Sequence, residues 1–166
     1  MSNLSLSQKG IDWLQEVETK RLQTYDDQTG DDISSWVKGA TIGYGHLIAQ
    51  DEWDLYKDGI TDAQAGALFA EDLAPFVNAV NRGLQDEIEQ HEFDACVALA
   101  FNIGVSGFSS SSALKLINDP NAQTNYDDLE SAWRAWNKSQ GKFSQGLANR
   151  RNAEWNIYSQ AVYERW

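Results

Sequence analysis

The stretch Gln23-Thr-Tyr-Asp-Asp-Gln-Thr-Gly-Asp-Asp-Ile-Ser-Ser-Trp-Val-Lys-Gly-Ala-Thr-Ile-Gly-Tyr-Gly-His46 decides how this chain is read. Asp26, Asp27, Gly30, Asp31, Asp32, Gly39, Gly43 and Gly45 are too many breakers for a helix. Its last six residues, Thr41 to His46, read as a strand with glycines at sites of close backbone approach. On both sides the pattern turns helical. Upstream, Ile11, Leu14 and Val17 recur at threefold spacing after Ser7, a suitable N-cap, and predict a short helix ending near Glu18. Downstream, Thr61 and Gln64 have the spacing of a capping box. Leu68, Leu73, Phe76, Val77 and Val80 then form an apolar stripe for a helix of about 20 residues, which Pro75 is predicted to kink or break. Phe93, Cys96, Val97, Ala100 and Phe101 form the next stripe, closed by Asn102-Ile-Gly104. The serine run Ser109 to Ser112 opens a helix over Ala113–Asn118, and further helices are predicted over Asp128–Lys138 and Gln145–Gln160. The expected architecture is α+β and mostly α-helical, a single domain over 1–166. Within it a small β-ribbon lobe spans about 18–60 and a larger helical lobe spans 61–166, with the first helix packed on the latter. A cleft between two such lobes is the expected ligand site.

Composition narrows the chemistry. With 166 residues and 42% hydrophobic content, one domain buries enough surface to need no covalent staples. The single cysteine, Cys96, excludes an intramolecular disulfide and a cysteine-based metal site, and is read as core; with only His46 and His91 a histidine-rich metal site is not expected either. His91, beside Glu92, is read as an exposed helix start. The net charge of −12 is the wrong sign for nucleic acid. No apolar run has the length of a membrane span, and the N-terminus lacks the apolar region of a signal peptide. Residues 81–166 are less acidic than residues 1–80. Their segment Arg134–Arg151 holds five bases and no acid, which reads either as a solvated helix face or as a basic wall facing an anion.

Nucleotide-binding glycine loops and nucleophile elbows are absent, so the candidate chemistry rests on carboxylates. Glycoside hydrolysis needs a proton donor for the leaving oxygen and a second polar group beside the anomeric carbon. Glu18 stands at the predicted end of the first helix, where the partial negative charge favours a protonated carboxyl. Glu16 points about 200° away around the same helix and cannot share that role.

Glu18-Thr-Lys-Arg-Leu-Gln-Thr-Tyr-Asp-Asp27 followed by Thr41-Ile-Gly-Tyr-Gly-His46 resembles the signature of the phage-type lysozymes, the endolysin family of muramidases. The resemblance continues through Ala98–Phe108, Trp133-Arg-Ala-Trp136 and Gly146–Glu154, in order and over nearly the whole chain. It implies a lysozyme-like two-lobed fold and cleavage of the β-1,4 bond between N-acetylmuramic acid and N-acetylglucosamine in peptidoglycan. It also implies Glu18 as the acid, Asp27 and Thr41 as its catalytic partners, Phe101, Asn102 and Arg150 as substrate-cleft residues, Arg150 beside the acid, His46 as a hydrogen-bonding support, and no metal or organic cofactor. Trp36 is added as a sugar-stacking candidate because it falls in a polar insertion. The setting it implies is an endolysin or antibacterial effector, made in the cytoplasm without a signal peptide and acting as a monomer on periplasmic peptidoglycan. An immunity or inhibitor protein would accompany an effector. A wall-binding module without catalysis is the alternative.

Two departures from the family pattern stand out. Thr19 replaces the usual glycine after the acid. Gln28 to Ala40 makes thirteen residues where the family has about five. The insertion is expected at a hairpin tip over the cleft, and it leaves Asp26 as a rival to Asp27.

Overall fold

Ser7 starts the first helix as its neighbours predict. Its hydroxyl accepts the Gly10 N–H at 3.0 Å and its carbonyl the Ile11 N–H at 2.9 Å. The computed structural model describes residues 2–166. In order, its helices are α1 (Gln8–Val17), α2 (Trp53–Tyr56), α3 (Asp62–Gly83), α4 (Gln90–Ile103), α5 (Val105–Ser109), α6 (Ser112–Asn118), α7 (Leu129–Arg134) and α8 (Gln145–Gln160). Strands β1 (Arg21–Asp26), β2 (Ala40–Gly43) and β3 (His46–Leu47) form one antiparallel sheet in that order. Strands β4 (Lys138–Ser139) and β5 (Lys142–Phe143) form a second hairpin. The fold is α+β, and helices carry most of it.

The chain divides into two units, Gln15–Ala74 and the remainder. In the first, Ala40, Ile42 and Ile48 are buried beneath Ile33, Trp36, Val37, Trp53 and Tyr56. Thr41 to His46 is not one strand. Gly43 at φ +70° and Gly45 at φ +85° turn the backbone between β2 and β3, a reversal that side-chain-bearing residues resist. The insertion is not a free tip either. It doubles back along the edge of β1 left open by β2: Asp26 N–H donates to Asp31 O at 2.9 Å, and Ile33 N–H to Thr24 O at 3.1 Å. The Thr24 hydroxyl donates to Ile33 O at 3.0 Å, and Tyr25 bridges Asp32. The added residues thereby satisfy an edge that would otherwise expose unpaired backbone groups.

In the other unit α4 is central. Every residue from Phe93 to Ala100 is buried, and a helix apolar all round belongs in a core. Cys96 lies there, its thiol pKa pushed up by burial, as expected of a core cysteine. Asp94 is the polar exception. It accepts the Ser7 N–H at 3.0 Å, Gln90 Nε2 at 2.9 Å and the Tyr163 hydroxyl at 2.6 Å, besides the Ser7 hydroxyl. Burial raises the Tyr163 phenol pKa, and the hydrogen bond to Asp94 adds to that.

Helix α3 runs through Pro75 without a break, because the imide removes only one hydrogen bond from a helix with buried residues on either side of it, Leu73 and Ala79. Two local expectations need correction. The helix expected over Asp128–Lys138 stops at Arg134, and Lys138 enters the β4–β5 hairpin, whose turn residues Gln140 and Gly141 take positive φ. His91 is half-buried, with Nδ1 3.0 Å from the Ile157 carbonyl, so it ties α4 to α8.

Candidate active site

Glu18 is half-buried at the bend that follows α1, three residues before β1 begins. The register of β1 with β2 then brings the other two candidates together. Tyr25 pairs with Thr41 and Asp26 with Ala40, so Asp27 arrives opposite Gly39. Asp27 N–H donates to the Gly39 carbonyl at 3.0 Å, and the Thr41 hydroxyl donates to the same oxygen at 2.7 Å. Thr41 is only 3% exposed, whereas Asp27 faces solvent. With its proton committed to Gly39, the Thr41 oxygen has lone pairs left and acts as an acceptor. A water beside it would present its own lone pair elsewhere.

Gly39 is the pivot of this arrangement. Its φ is +118°, and a Cβ there would stand 2.7 Å from Asp26 Oδ1 and 2.8 Å from Asp27 Oδ1. Both carboxylates therefore lie over bare backbone. They differ in engagement: Asp26 Oδ1 accepts the Gln28 N–H at 2.9 Å and closes the turn. Among the described residues Asp27 shows no corresponding side-chain bond.

Tyr25 was not singled out by sequence, although its place between Glu18 and Asp27 along the chain was readable. Burial raises its phenol pKa; the Arg21 cation opposes this, and the negative charges of Asp27 and Glu18 add to it. One phenol thus senses both carboxylates. Arg21 stacks on its ring with Cζ 4.0 Å from the centroid, donating to Gly30 O at 2.8 Å and Asp32 at 2.7 Å. Trp36 donates its indole N–H to Ile48 O at 2.9 Å and packs on the sheet's core, which gives it an anchoring role. His46 supports the same sheet as expected: Nδ1 lies 2.9 Å from Asp72, and Glu52 stands 3.6 Å from Nε2.

The helical unit carries its own polar cluster. Glu154 is fully buried and accepts Trp133 Nε1 at 3.2 Å, Arg150 Nε at 3.0 Å and Arg151 Nη2 at 2.9 Å. Arg150 also reaches Ala98 O at 3.3 Å. Arg151 reaches Asn102 Oδ1 at 2.8 Å and Trp136 O at 3.2 Å. Burial lowers the Arg151 pKa, and Glu154 counters it. The five-base segment is therefore neither a solvated face nor a continuous wall, since two of its arginines are paired inside the protein. The i, i+3 and i, i+4 spacing of Arg151 and Arg150 to Glu154 was the available signal. Asn102, oriented by Arg151, lines a cleft of about 660 Å³ with Ser111, Tyr126, Trp136 and Lys138. Phe101 is half-buried and meets Phe76 edge-on, centroids 5.1 Å apart. No group of metal-ligating side chains occurs among the described residues.

An antiparallel sheet carrying an Asp and a Thr, joined to a helical unit with a buried Arg–Glu cluster, is the organisation of a lysozyme-like domain. The family described as phage lysozyme matches residues 15–154, and the chain belongs to it. The endolysin of Bacillus phage PZA is 33% identical over 94% of this chain, and the chain spans 55% of that relative. The Salmonella phage P22 endolysin is 32% identical over 91% of this chain and 95% of its own length. Among solved structures, an endolysin from Escherichia coli O157:H7 phage FAHEc1 aligns with a TM-score of 0.78 at 31% identity, covering 99% of both chains. The muramidase domain of SpmX from Asticaccaulis excentricus aligns at 0.74 and 26% identity, covering 95% of this chain and 99% of the domain.

Proposed function

We propose that this chain is a muramidase that hydrolyses the β-1,4 bond between N-acetylmuramic acid and N-acetylglucosamine in bacterial peptidoglycan. Glu18 protonates the glycosidic oxygen. Asp27 takes the proton of a water held by the Thr41 oxygen, and that water attacks the anomeric carbon. Asn102, Phe101 and Arg150 shape the glycan site. The reading draws on the family and on one observation above the rest: Asp27 and Thr41, separated in sequence by the thirteen residues Gln28 to Ala40, share the Gly39 carbonyl. The setting that fits is a phage endolysin or an antibacterial effector reaching peptidoglycan in the periplasm.

The test is Glu18→Gln. The amide cannot give up a proton, and loss of a general acid costs about 10²–10⁴-fold. Release of reducing ends from purified sacculi should fall by that factor while the thermal melt stays in place. Near wild-type release would overturn the assignment. A wild-type chain that binds sacculi but frees no reducing ends would instead favour a wall-binding module.

A further inference from the structure

The 15–74 unit holds a second concavity of about 340 Å³, between α2 and the first turns of α3. Leu55, Tyr56, Ile60, Gln64, Leu68 and Glu71 line it. Leu55 is 71% exposed, between Asp54 and Tyr56 on a short helix. Leu47, on edge strand β3, is 62% exposed, and its neighbour His46 sets its ring 5.6 Å from that of Tyr56. Two bare leucines in one small unit call for an explanation, because exposed apolar clusters rimmed by polar groups mark interaction sites.

The segment that builds the groove is acidic. Between residues 50 and 72 stand Asp51, Glu52, Asp54, Asp58, Asp62, Glu71 and Asp72 against the single base Lys57, which Asp54 already engages at 3.3 Å. Asp62 and Asp72 have partners in Lys20 and His46. Asp51, Asp58 and Glu71 are exposed, and Glu71 borders the groove itself.

We propose that this groove docks a protein partner presenting a large apolar side chain flanked by lysines or arginines. The apolar floor and Leu55 supply a buried centre, while Glu71 at the groove and the acidic excess of residues 50–72 supply the negative field that steers and orients association. Anionic polymers and anionic membranes carry the wrong charge for that field. The inference is independent of the muramidase reading, because it uses none of the residues assigned to hydrolysis.

The probe is a fluorescein-labelled amphipathic helical peptide with leucines on one face and lysines on the other, titrated by anisotropy into the full chain at physiological salt. Two control peptides replace its lysines by glutamate or its leucines by serine. The cationic amphipathic peptide should bind, and both controls should not. Leu55→Ser and Glu71→Lys, each at an exposed side chain, should weaken binding at least about tenfold. The triple variant Asp86→Lys, Glu87→Lys, Glu89→Lys, in the other unit, should leave it within about twofold. If the triple variant weakens binding as much as Glu71→Lys, only net charge is at work and the proposal fails. It fails equally if the serine peptide binds as well, if Leu55→Ser has no effect, or if the cationic amphipathic peptide does not bind.

Discussion

At the scale of single residues the candidate site depends on an absent side chain. Gly39 holds a backbone conformation at φ +118° and leaves room where any Cβ would meet Asp26 and Asp27 carboxylate oxygens below 3 Å. The same residue's carbonyl receives Asp27 N–H and the Thr41 hydroxyl. Gly39→Ala should therefore cost on the order of 1–3 kcal/mol in backbone strain and push both carboxylates aside. Sacculus hydrolysis should fall far more than the modest drop in melting temperature implies, and a fully active, merely less stable variant would remove Gly39 from the site. The two aspartates separate by the same logic. Asp26 has a turn-closing bond to Gln28, so Asp26→Asn, which keeps an acceptor oxygen, should retain most activity. Asp27→Asn keeps the turn and the charge-independent contacts but removes a base, and turnover should fall at least tenfold. The opposite ranking in a reducing-end assay would mean that Asp26 is the working carboxylate. The candidates Glu18, Asp27 and Thr41 could be picked from sequence by their order. That Asp27 and Thr41 share one carbonyl could not, because spacing in sequence says nothing of which backbone oxygen two donors will choose.

Elements were readable where one local rule dominated. Helix α8 spans the expected Gln145–Gln160, because the Ser144 hydroxyl caps it against Leu147 N–H at 3.2 Å and Ala161 closes it in the left-handed region. The Thr61–Gln64 capping box forms in both directions, at 2.8 and 3.1 Å. Misreadings fell where tertiary pairing decided. The Gln140–Gly141 turn diverts a helix-compatible segment into β4 and β5, and the insertion's place along β1 follows from an open sheet edge that no local pattern announces. Asp94 is the clearest case of a tertiary demand inside a helix. A carboxylate in a run of apolar residues looks misplaced until Ser7, Gln90 and Tyr163 are found donating to it. Hydrogen bonds to a charged group are worth about 1.5–3 kcal/mol, and leaving buried donors unpaired adds to the loss. Asp94→Ala should destabilise by on the order of 3 kcal/mol and lower the melting temperature by roughly 6–12 °C. Asp94→Asn, which keeps one acceptor, should lose less. An unchanged melt for Asp94→Ala would show that the termini are held by apolar packing alone.

For the whole molecule the decisive property is charge, and it is unevenly held. Residues 15–74 carry thirteen acids against four bases, while the rest carry twelve against nine. Nine of the twelve net negative charges thus belong to the unit that also holds Glu18, Asp27 and Thr41. Peptidoglycan is itself anionic, so encounter between this protein and its proposed substrate works against long-range repulsion. That repulsion weakens as the Debye length contracts from about 30 Å at 0.01 M salt to about 10 Å at 0.1 M. Hydrolysis of intact sacculi should therefore rise over that interval, opposite to the behaviour of a basic enzyme whose attraction salt screens away. Replacing Asp86, Glu87 and Glu89 by lysine should raise the low-salt rate on sacculi through faster encounter and flatten the salt dependence. Turnover of a short uncharged glycan should stay the same, since none of the three is assigned to the site. The exposed Lys138 and Lys142 offer the competing possibility of local attraction. Should the rate on sacculi fall from 0.01 M to 0.1 M salt, with no gain from the lysine variant, those two side chains and not the net charge govern approach to the wall, and Lys138→Glu with Lys142→Glu would then abolish the low-salt advantage.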